Sequence, residues 1–421
     1  MKENYIEYAE SAINLTTEII EKNGPRVSGT KGNLSACSAL ETILAKYCTS
    51  TKRESFAIHP DSLFAIGKIF TVIYLIGLIA IMTGNKISIG IGLLIMVIGT
   101  LYFMTQFILY LDTFDRLFKK VAGNNIIGSV EPKNHVTRQV IIVSHYDSSP
   151  VYPFYEKAPF LFTLRLFIPV LLFLFGLFVL ILSFSTSLMS MNIPLIPVWM
   201  KYILLFGVIA VLPMFGYISK RESPGAGDNL IGCTIGIKLA EMFQKTENIL
   251  QNTRIVVLLT DGEEVGQKGA KYFIKTNQNL LKKTRTIVIN IDSIYKYEDI
   301  AVVRSDRNGF TKLSGDLLKD INTVAMDLGH VLKTISIPFG GGGTDAGQFA
   351  RDKNKTISII GTPTNAFRKE IIFHTMKDCP DKISKKAVST VIEVVSEYIR
   401  KFDFTETNSA PECNFKNTLY L

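Results

Sequence analysis

The sequence Leu258-Leu259-Thr260-Asp261-Gly262-Glu263-Glu264-Val265-Gly266 joins a short apolar run to two adjacent carboxylates. Residues 254–259 form a short run that is β-branched or apolar after Arg254, and Asp261-Gly262 closes it after Thr260, which predicts a buried strand that ends at a sharp turn. Two like charges at the end of a core strand repel each other unless a cation lies between them or one of them holds a proton. An isolated pair of this kind usually belongs to a solvated loop, so the rest of the chain has to decide what the pair does.

The composition of the chain indicates membrane-spanning segments. Of its 421 residues, 47% are hydrophobic, which is too apolar for a simple soluble enzyme. These residues gather in four blocks, at 63–83, 87–111, 159–184 and 196–217. Each block provides the roughly 20 residues with which a helix crosses about 30 Å of hydrocarbon. We therefore predict four transmembrane helices, the last interrupted by Pro213.

Charge and cysteine content indicate where the rest of the chain lies. The net charge of +9 fits a protein against an anionic membrane face, and no basic stretch interleaved with aromatic residues indicates nucleic-acid binding. The five cysteines are scattered and odd in number, which indicates reduced thiols, and the N-terminus has no apolar segment typical of a signal peptide. Basic residues near the span ends favour one side of the membrane: Lys68, Arg116, Lys119, Lys120, Lys220 and Arg221. We expect a multi-pass protein of the cell membrane with its soluble domain in the cytoplasm.

The four blocks divide the chain into six segments. Residues 1–62, 112–158 and 219–404 are predicted to form one domain, residues 63–111 and 159–218 two transmembrane hairpins, and residues 405–421 a polar tail. Within the domain, apolar strands alternate with amphipathic helices, which predicts an α/β fold with a mixed, mostly parallel sheet flanked by helices. Residues 125–130 and 138–144 are predicted to pair as a β-hairpin. The sequence does not indicate an oligomeric state.

Side chains of metal-ligand type stand where five of the predicted elements begin or end: His145 with Asp147, Asp228, Glu263 with Glu264, Asp292, and His374. Taken singly, each has a simpler interpretation, such as a buried core histidine, a helix cap, a turn residue or a surface residue. Imidazole nitrogen and carboxylate oxygen together are the ligands of catalytic zinc, and groups at strand ends converge above a parallel sheet. Their common position therefore predicts a metal site.

Five motifs of the chain carry a family resemblance: His145-Tyr146-Asp147, Gly225-Ala226-Gly227-Asp228-Asn229, Glu263-Glu264-Val265-Gly266, Asp292 and His374-Thr375. In this order they resemble the motifs of the co-catalytic zinc exopeptidases, metallopeptidase family 28. That family includes bacterial leucyl aminopeptidases and glutamate carboxypeptidase and is related to the glutaminyl cyclases. The resemblance covers residues 5–402 apart from the four spans, and it implies a sheet of the zinc-exopeptidase type.

The resemblance also implies roles for the residues of these motifs. One zinc ion would be held by Asp228, Glu264 and His374, and a second by His145, Asp292 and the same Asp228. Asp147 would orient His145, and the Asp228–Asn229 peptide bond would be cis. Glu263 would act as general base toward a water shared by the two metals. The expected activity is that of a membrane-anchored aminopeptidase whose partners are a peptide substrate and the lipid bilayer.

Two other functions are weighed against the aminopeptidase. Glutaminyl cyclases have similar His-Tyr-Asp and Asp-Gly-Glu-Glu motifs but use one zinc ion and a tryptophan-rich pocket, whereas Trp199, the only tryptophan here, lies in a predicted span. A transporter or receptor with a relic peptidase domain is disfavoured because no expected ligand or base is missing. The chain departs from the family pattern at Gln267, where leucine is usual, and at Thr344-Asp345-Ala346, where Ser-Asp-His is usual. These departures bear on substrate preference rather than on the metal site.

The transmembrane hairpins are expected to lie next to the site. The second hairpin leaves the domain just after Asp147 and returns shortly before Asp228. If residues 125–130 and 138–144 pair antiparallel, the first hairpin leaves at the same end of the sheet. The rim of the site should then face the bilayer. Residues 340–343, four consecutive glycines, are either a wall of the site or a loose loop.

Overall fold

The computed structural model describes residues 4–188, 196–362 and 371–404. The helices are α1 Tyr5–Asn23, α2 Lys31–Leu44, α3 Asp61–Phe64, α4 Ile66–Thr83, α5 Lys86–Phe103, α6 Pro153–Glu156, α7 Phe162–Leu188, α8 Val198–Val211, α9 Ile231–Gln244, α10 Lys268–Thr276, α11 Gln278–Lys283, α12 Gly315–Asp327, α13 Ala346–Arg351 and α14 Lys385–Phe404. The strands are β1 Ser50–Ile58, β2 Val121–Val130, β3 Arg138–His145, β4 Thr253–Thr260, β5 Arg285–Ile294, β6 Ala301–Asp306, β7 Thr311–Lys312, β8 Lys333–Ser336 and β9 Lys355–Gly361. The predicted polar tail, 405–421, lies outside the described residues.

Within the described ranges, nine strands form one mixed sheet in the order β1-β2-β4-β3-β5-β9-β6-β7, with β8 paired to β6. The four central strands, β4, β3, β5 and β9, run parallel to one another. At one side β2 is antiparallel to β4 and β1 to β2, and at the other side β6 is antiparallel to β9. The predicted α/β fold with a mixed sheet flanked by helices is confirmed, and its parallel part is the centre of the sheet.

Helices cover both faces of the sheet, which explains why its central strands are continuously apolar. In β3, Val140 and Ile142 pack into the core formed with α1, α9 and α14, while Ile141 and Val143 face the opposite core. That second core contains Phe273 of α10 and Phe349 of α13. Side chains alternate between the two faces of a strand, so a strand buried on both faces has no polar positions in its middle.

The predicted β-hairpin of residues 125–130 and 138–144 is wrong. The strands β2 and β3 form at these positions, but β4 lies between them and pairs with both. The connection is too long for a tight turn, and it binds the segment before β4 instead, with Lys133 N–H donating to Leu250 O at 2.8 Å. Because β3 and β4 are equally apolar, their parallel pairing buries more apolar surface than a hairpin at the sheet edge would.

Both apolar hairpins leave the domain at the carboxyl edge of the parallel strands. Ile58, at the end of β1, pairs with Val121 at the start of β2, and the first hairpin lies between these two residues in the chain. Further along β2, Ile126 pairs with Leu259 near the end of β4, which places Val121 beyond that end. The second hairpin follows His145, the last residue of β3. The first hairpin therefore emerges at the predicted edge although the strand pairing is different.

Four helices in the described part of the chain are long and apolar enough to cross a membrane: Ile66–Thr83, Lys86–Ile108, Pro159–Leu188 and Val198–Gly216. They agree in position with the four predicted spans, and Pro213 lies in the 3₁₀ turn that follows α8. The helices pack closely through small residues, since a Cβ on Gly92 would lie 2.5 Å from the Ala80 Cβ. Their outward faces are apolar, and Ile87 and Ile209 are each 76% exposed.

Candidate metal centre

The residues predicted to bind metal meet at the carboxyl edge of the central strands. His145 ends β3, and Asp292 lies inside β5 at a bulge rather than after the strand as predicted. Beyond the end of β4, Gly262 adopts a positive φ of 73°, which turns the chain so that Glu263 and Glu264 follow directly. Asp228 lies in the turn that precedes α9. Parallel strands bring such residues together because their carboxyl ends share one edge of the sheet.

In the described residues, the five predicted ligands fall into two groups that share Asp228. In the first group, His145 Nε2 lies 3.3 Å from Asp228 Oδ1 and 3.7 Å from Asp292 Oδ1. In the second, His374 Nε2 lies 3.1 Å from Asp228 Oδ2 and 3.1 Å from Glu264 Oε2. Each oxygen of the Asp228 carboxylate therefore faces a different group.

The chemistry of this cluster fits divalent cations. The carboxylates of Asp228, Glu264 and Asp292 are buried within one small volume, and buried carboxylates are costly unless a cation pairs with them. Glu264 Oε1 is buried and has no hydrogen-bond partner among the described residues. Each group offers one imidazole nitrogen together with carboxylate oxygens, which is the ligand set of zinc. The residues present therefore fit metal ions such as zinc.

The pKa shifts in the cluster arise from the same buried carboxylates that favour binding of cations. Burial alone would lower the pKa of His374, but the carboxylates of Glu264 and Asp228 raise it to about 10. Burial alone would raise the pKa of Asp228, yet its contacts with both imidazoles hold that pKa well below its usual range. For Glu263, burial raises the pKa well above its usual value, and neighbouring carboxylates contribute. The clustered negative charge thus favours any cation placed within it.

Asp147 links the two loops that carry the ligands. Its carboxylate accepts hydrogen bonds from the main-chain N–H groups of Glu263 and Glu264, both at 3.2 Å. His145 Nδ1 lies 3.5 Å from Asp147 Oδ1 and 3.1 Å from the main-chain oxygen of Asp147. Asp147 is therefore placed to fix both the imidazole ring of His145 and the Glu263-Glu264 turn.

The turn that carries Asp228 is held by residues that sequence reasoning did not select. The Asp228–Asn229 peptide bond is cis, as the family resemblance implied. Asp378 accepts hydrogen bonds from Gly227 N–H at 2.7 Å and Asp228 N–H at 3.3 Å. The fully buried Arg26 donates to the main-chain oxygen of Gly225 at 2.7 Å. The only sequence signal for Arg26 is its place in the break after the first helix.

Tyrosines next to the apolar hairpins in the chain stand beside the cluster, and we call Tyr110, Tyr152 and Tyr155 the tyrosine wall. The Tyr152 ring stacks on the His374 ring with centroids 4.8 Å apart, and the Tyr155 ring lies 5.6 Å from that of Tyr152. Tyr110 lies on the Glu263 side of the cluster, where burial, Glu263 and Asp306 raise its pKa. Sequence reasoning missed all three, because aromatic residues at span ends are typical of membrane interfaces.

The residues that depart from the family pattern form polar contacts with each other's neighbours in β4 and α13. Asp345 accepts a hydrogen bond from Thr260 Oγ1 at 2.5 Å, and burial raises the pKa of Asp345 to about 7. Gln267 accepts a hydrogen bond from Gln348 at 2.6 Å. In the run of four glycines, Gly342 lies against Tyr110, whose hydroxyl is 3.6 Å from the position of a Gly342 Cβ. Of the four glycines, Gly342 therefore lies beside Tyr110.

Comparison with known proteins gives a family and a fold. Residues 214–399 match the model of peptidase family M28, a range that contains Asp228, Glu264, Asp292 and His374. A search of curated proteins finds no match. Three solved structures share TM-scores of 0.55 at 14% identity: a glutaminyl cyclase and a leucine aminopeptidase precursor from Bacteroides thetaiotaomicron, and a Zn-dependent exopeptidase from Parabacteroides distasonis.

Each of these three alignments covers 93% of this chain and 96–97% of the other chain. At this identity the likeness shows the fold, which cyclases and exopeptidases have in common. The family match, by contrast, begins before Asp228 and ends after His374, so it includes most of the residues that meet at the carboxyl edge. The match identifies residues 214–399 as a region similar to peptidase family M28, within a chain whose fold is shared with Zn-dependent exopeptidases and glutaminyl cyclases.

Proposed function

We propose that this protein is a membrane-anchored zinc aminopeptidase that removes N-terminal residues from peptides. The observation that carries the proposal is the position of Asp228, whose two carboxylate oxygens face two separate histidine and carboxylate groups. Glu263 belongs to neither group although it is adjacent to Glu264. A carboxylate shared by two ligand groups would hold two metal ions close together, as in two-metal hydrolysis, and leaves Glu263 available as a base.

The two groups assign the ligands of the proposed metals. Asp228, Glu264 and His374 would hold one zinc ion, and His145 and Asp292, with Asp228, would hold the other. Zinc bound there would supply a Lewis acid, which polarises a peptide carbonyl and lowers the pKa of a water. The main-chain N–H groups that bind Asp147 keep Glu263 and Glu264 in a fixed turn, so that Glu264 faces His374 while Glu263 stays free.

Glu263 is the proposed general base. Its carboxylate would accept the proton of the attacking water and then donate that proton to the amine that leaves when the peptide bond breaks. Asp147 would act as a positioning residue, through its contacts with His145 and with the Glu263 main chain.

The tyrosine wall supports a preference for an apolar N-terminal residue. The rings of Tyr152 and Tyr155 lie 4.8 Å and 6.0 Å from the His374 ring and present aromatic surface beside the proposed zinc ligands. Tyr155 also packs against Phe373 at 5.1 Å. Aromatic rings bury apolar side chains favourably, so leucyl or phenylalanyl residues would gain more from this surface than glycyl residues.

A glutaminyl cyclase is the second candidate, because several solved structures with this fold are named as such enzymes. The sharing of Asp228 by two complete ligand groups favours the peptidase. The position of the single tryptophan also favours it, since Trp199 lies at the start of the apolar helix α8 rather than beside the cluster. The aromatic surface near the cluster is built from tyrosine and phenylalanine instead.

One assay separates the two activities. Detergent-purified protein is expected to hydrolyse leucyl- and phenylalanyl-anilides faster than the glycyl-anilide, because of the tyrosine wall, and to form no pyroglutamyl product from a glutaminyl peptide. Product analysis by mass spectrometry distinguishes hydrolysis from cyclisation. Pyroglutamyl peptide formed together with one bound zinc per chain would show that the cyclase assignment is correct.

We also propose that the four apolar helices anchor the protein in the cell membrane with the catalytic domain in the cytoplasm. Their length and composition, and the basic residues next to their domain-side ends, support this orientation. In sealed spheroplasts, a membrane-impermeant aminoacyl-anilide added outside is expected to remain intact until the cells are permeabilised. Full cleavage before permeabilisation would place the domain on the opposite side.

A further inference from the structure

Two exposed phenylalanines form an aromatic tip, which we define as Phe310 and Phe339. Their side chains are 65% and 60% exposed, and their rings contact each other edge to face with centroids 6.1 Å apart. Phe310 lies in the turn between β6 and β7, and Phe339 precedes the run of four glycines. Two large apolar rings that pair with each other in water, rather than under a neighbouring element, indicate a surface that contacts something else.

The two loops of the aromatic tip are joined to each other. Asn308 N–H donates to Gly342 O at 2.7 Å, and Gly342 N–H donates to Asn308 Oδ1 at 3.2 Å. Both hydrogen bonds involve main-chain atoms, so they fix the position of one loop relative to the other. The tip is therefore a defined feature of the surface and not two unrelated side chains.

The same loops are attached to the end of the second apolar helix. Asn308 Nδ2 donates to the main-chain oxygens of Ile108 at 3.1 Å and Phe107 at 3.4 Å. The Arg307 guanidinium donates to Leu109 O and lies 5.6 Å from the centre of the Tyr110 ring. Phe310 thus lies two residues after Asn308, whose side chain caps this end of the helix.

The length of that helix sets the depth of the tip. Lys86–Ile108 has 23 residues. At 1.5 Å per residue this corresponds to about 35 Å. The hydrocarbon core of a bilayer is roughly 30 Å thick, so the last turn of a spanning helix of this length lies at the boundary with the headgroups. Asn308 binds the oxygens of that last turn, which brings the aromatic tip to the same level.

We propose that the aromatic tip inserts into the interfacial region of the bilayer, as a lipid contact separate from the four helices. Exposed Arg304 and Lys312 on the strands beside Phe310 suit the anionic headgroups of such a surface. Aromatic rings bordered by basic residues are typical of segments that lie in a membrane interface. The inference goes beyond the peptidase activity, but it rests on the proposed insertion of α4, α5, α7 and α8 into the membrane.

Tryptophan fluorescence tests the proposal. Trp199 is replaced by phenylalanine, and Phe310→Trp is introduced into that background as the only tryptophan. The purified protein is reconstituted into phosphatidylcholine and phosphatidylglycerol vesicles whose acyl chains are brominated near the headgroup. We expect a blue-shifted emission that is quenched by the brominated lipid, because the ring would lie among the upper acyl carbons.

Two controls make failure of the tip distinguishable from failure of membrane insertion. The first control is Ile6→Trp in the same background, at an exposed position of α1. The neighbouring Tyr5 donates a hydrogen bond to Glu397 of α14, so this position lies away from the hairpins, and its fluorescence should not be quenched. The unchanged protein reports on Trp199 in α8, which should be quenched. Unquenched Phe310→Trp with quenched Trp199 would overturn the aromatic tip alone. A blue shift of Phe310→Trp without quenching would indicate a protein partner, such as a second copy, and would also overturn the lipid contact. Unquenched Trp199 would show that the apolar helices are not inserted, and the proposal of a lipid contact would fail with them.

Discussion

Replacing Glu263 by glutamine is expected to lower kcat for aminoacyl-anilide hydrolysis by about 10²–10⁴-fold, the usual contribution of a general base. Glutamine keeps the size of the side chain but cannot accept the proton of the attacking water. Because Glu263 belongs to neither ligand group, the bound zinc should remain as in the unchanged protein. The measurement is kcat together with zinc content by atomic emission.

Glu247→Gln is the matched control, because Glu247 is an exposed residue in a short 3₁₀ turn away from the cluster. It should leave both kcat and zinc content unchanged. The role of Glu263 is wrong if the Glu263→Gln protein hydrolyses the anilide at the normal rate. Loss of zinc from this variant would instead show that Glu263 is a ligand.

Replacing Asp228 by alanine is expected to remove both zinc ions and, with them, all measurable hydrolysis. Asp228 is the one residue with an oxygen in each group, so its loss takes a ligand from both metals at once. Replacing Asp292 by alanine should affect only the group that contains His145. Zinc titration of the metal-free proteins, followed by calorimetry or a fluorescent chelator, measures the two stoichiometries.

Thermal unfolding provides the control for folding in these variants. Zinc that binds the folded protein raises the Tm by mass action, so the unchanged protein should be stabilised by added zinc and the Asp228→Ala protein should not. A variant that unfolds in detergent at the Tm of the metal-free parent has kept its fold. If Asp228→Ala still binds two zinc ions, the bridging role is wrong.

The residues of the candidate metal centre are predictable from sequence because they stand at the ends of recognisable elements. His145, Asp228 and Glu264 each lie at the end or the start of an element whose apolar pattern is clear. The carboxyl ends of parallel strands share one edge, so elements recognised singly bring their terminal residues together. Prediction of the site therefore needed the ends of the strands but not their order.

The order of the strands, by contrast, could not be predicted. The strands β2 and β3 are neighbours in the chain, and a hairpin is the usual arrangement for such strands, yet β4 separates them. Apolar composition indicates that a strand is buried but does not identify its neighbour, because any other apolar strand could pair with it in the buried sheet. The conclusion about the first hairpin survived because β2 is antiparallel to β4, which leaves its start at the carboxyl edge.

The surroundings of the candidate metal centre could not be predicted from the sequence. Tyr110 and Tyr152 lie next to apolar helices, where aromatic residues are expected for reasons unrelated to catalysis. Arg26 lies far from Gly225 in the chain, and only the fold brings its guanidinium to that main-chain oxygen. Such contacts depend on how loops pack around the sheet, and short sequence patterns carry no information about that packing.

Anomalous X-ray scattering at the zinc absorption edge, from crystals of the full-length protein, tests the two-metal centre most directly. We predict two anomalous peaks on either side of the Asp228 carboxylate, one next to His374 and Glu264 and the other next to His145 and Asp292. A single peak, or peaks that do not adjoin Asp228, would contradict the account.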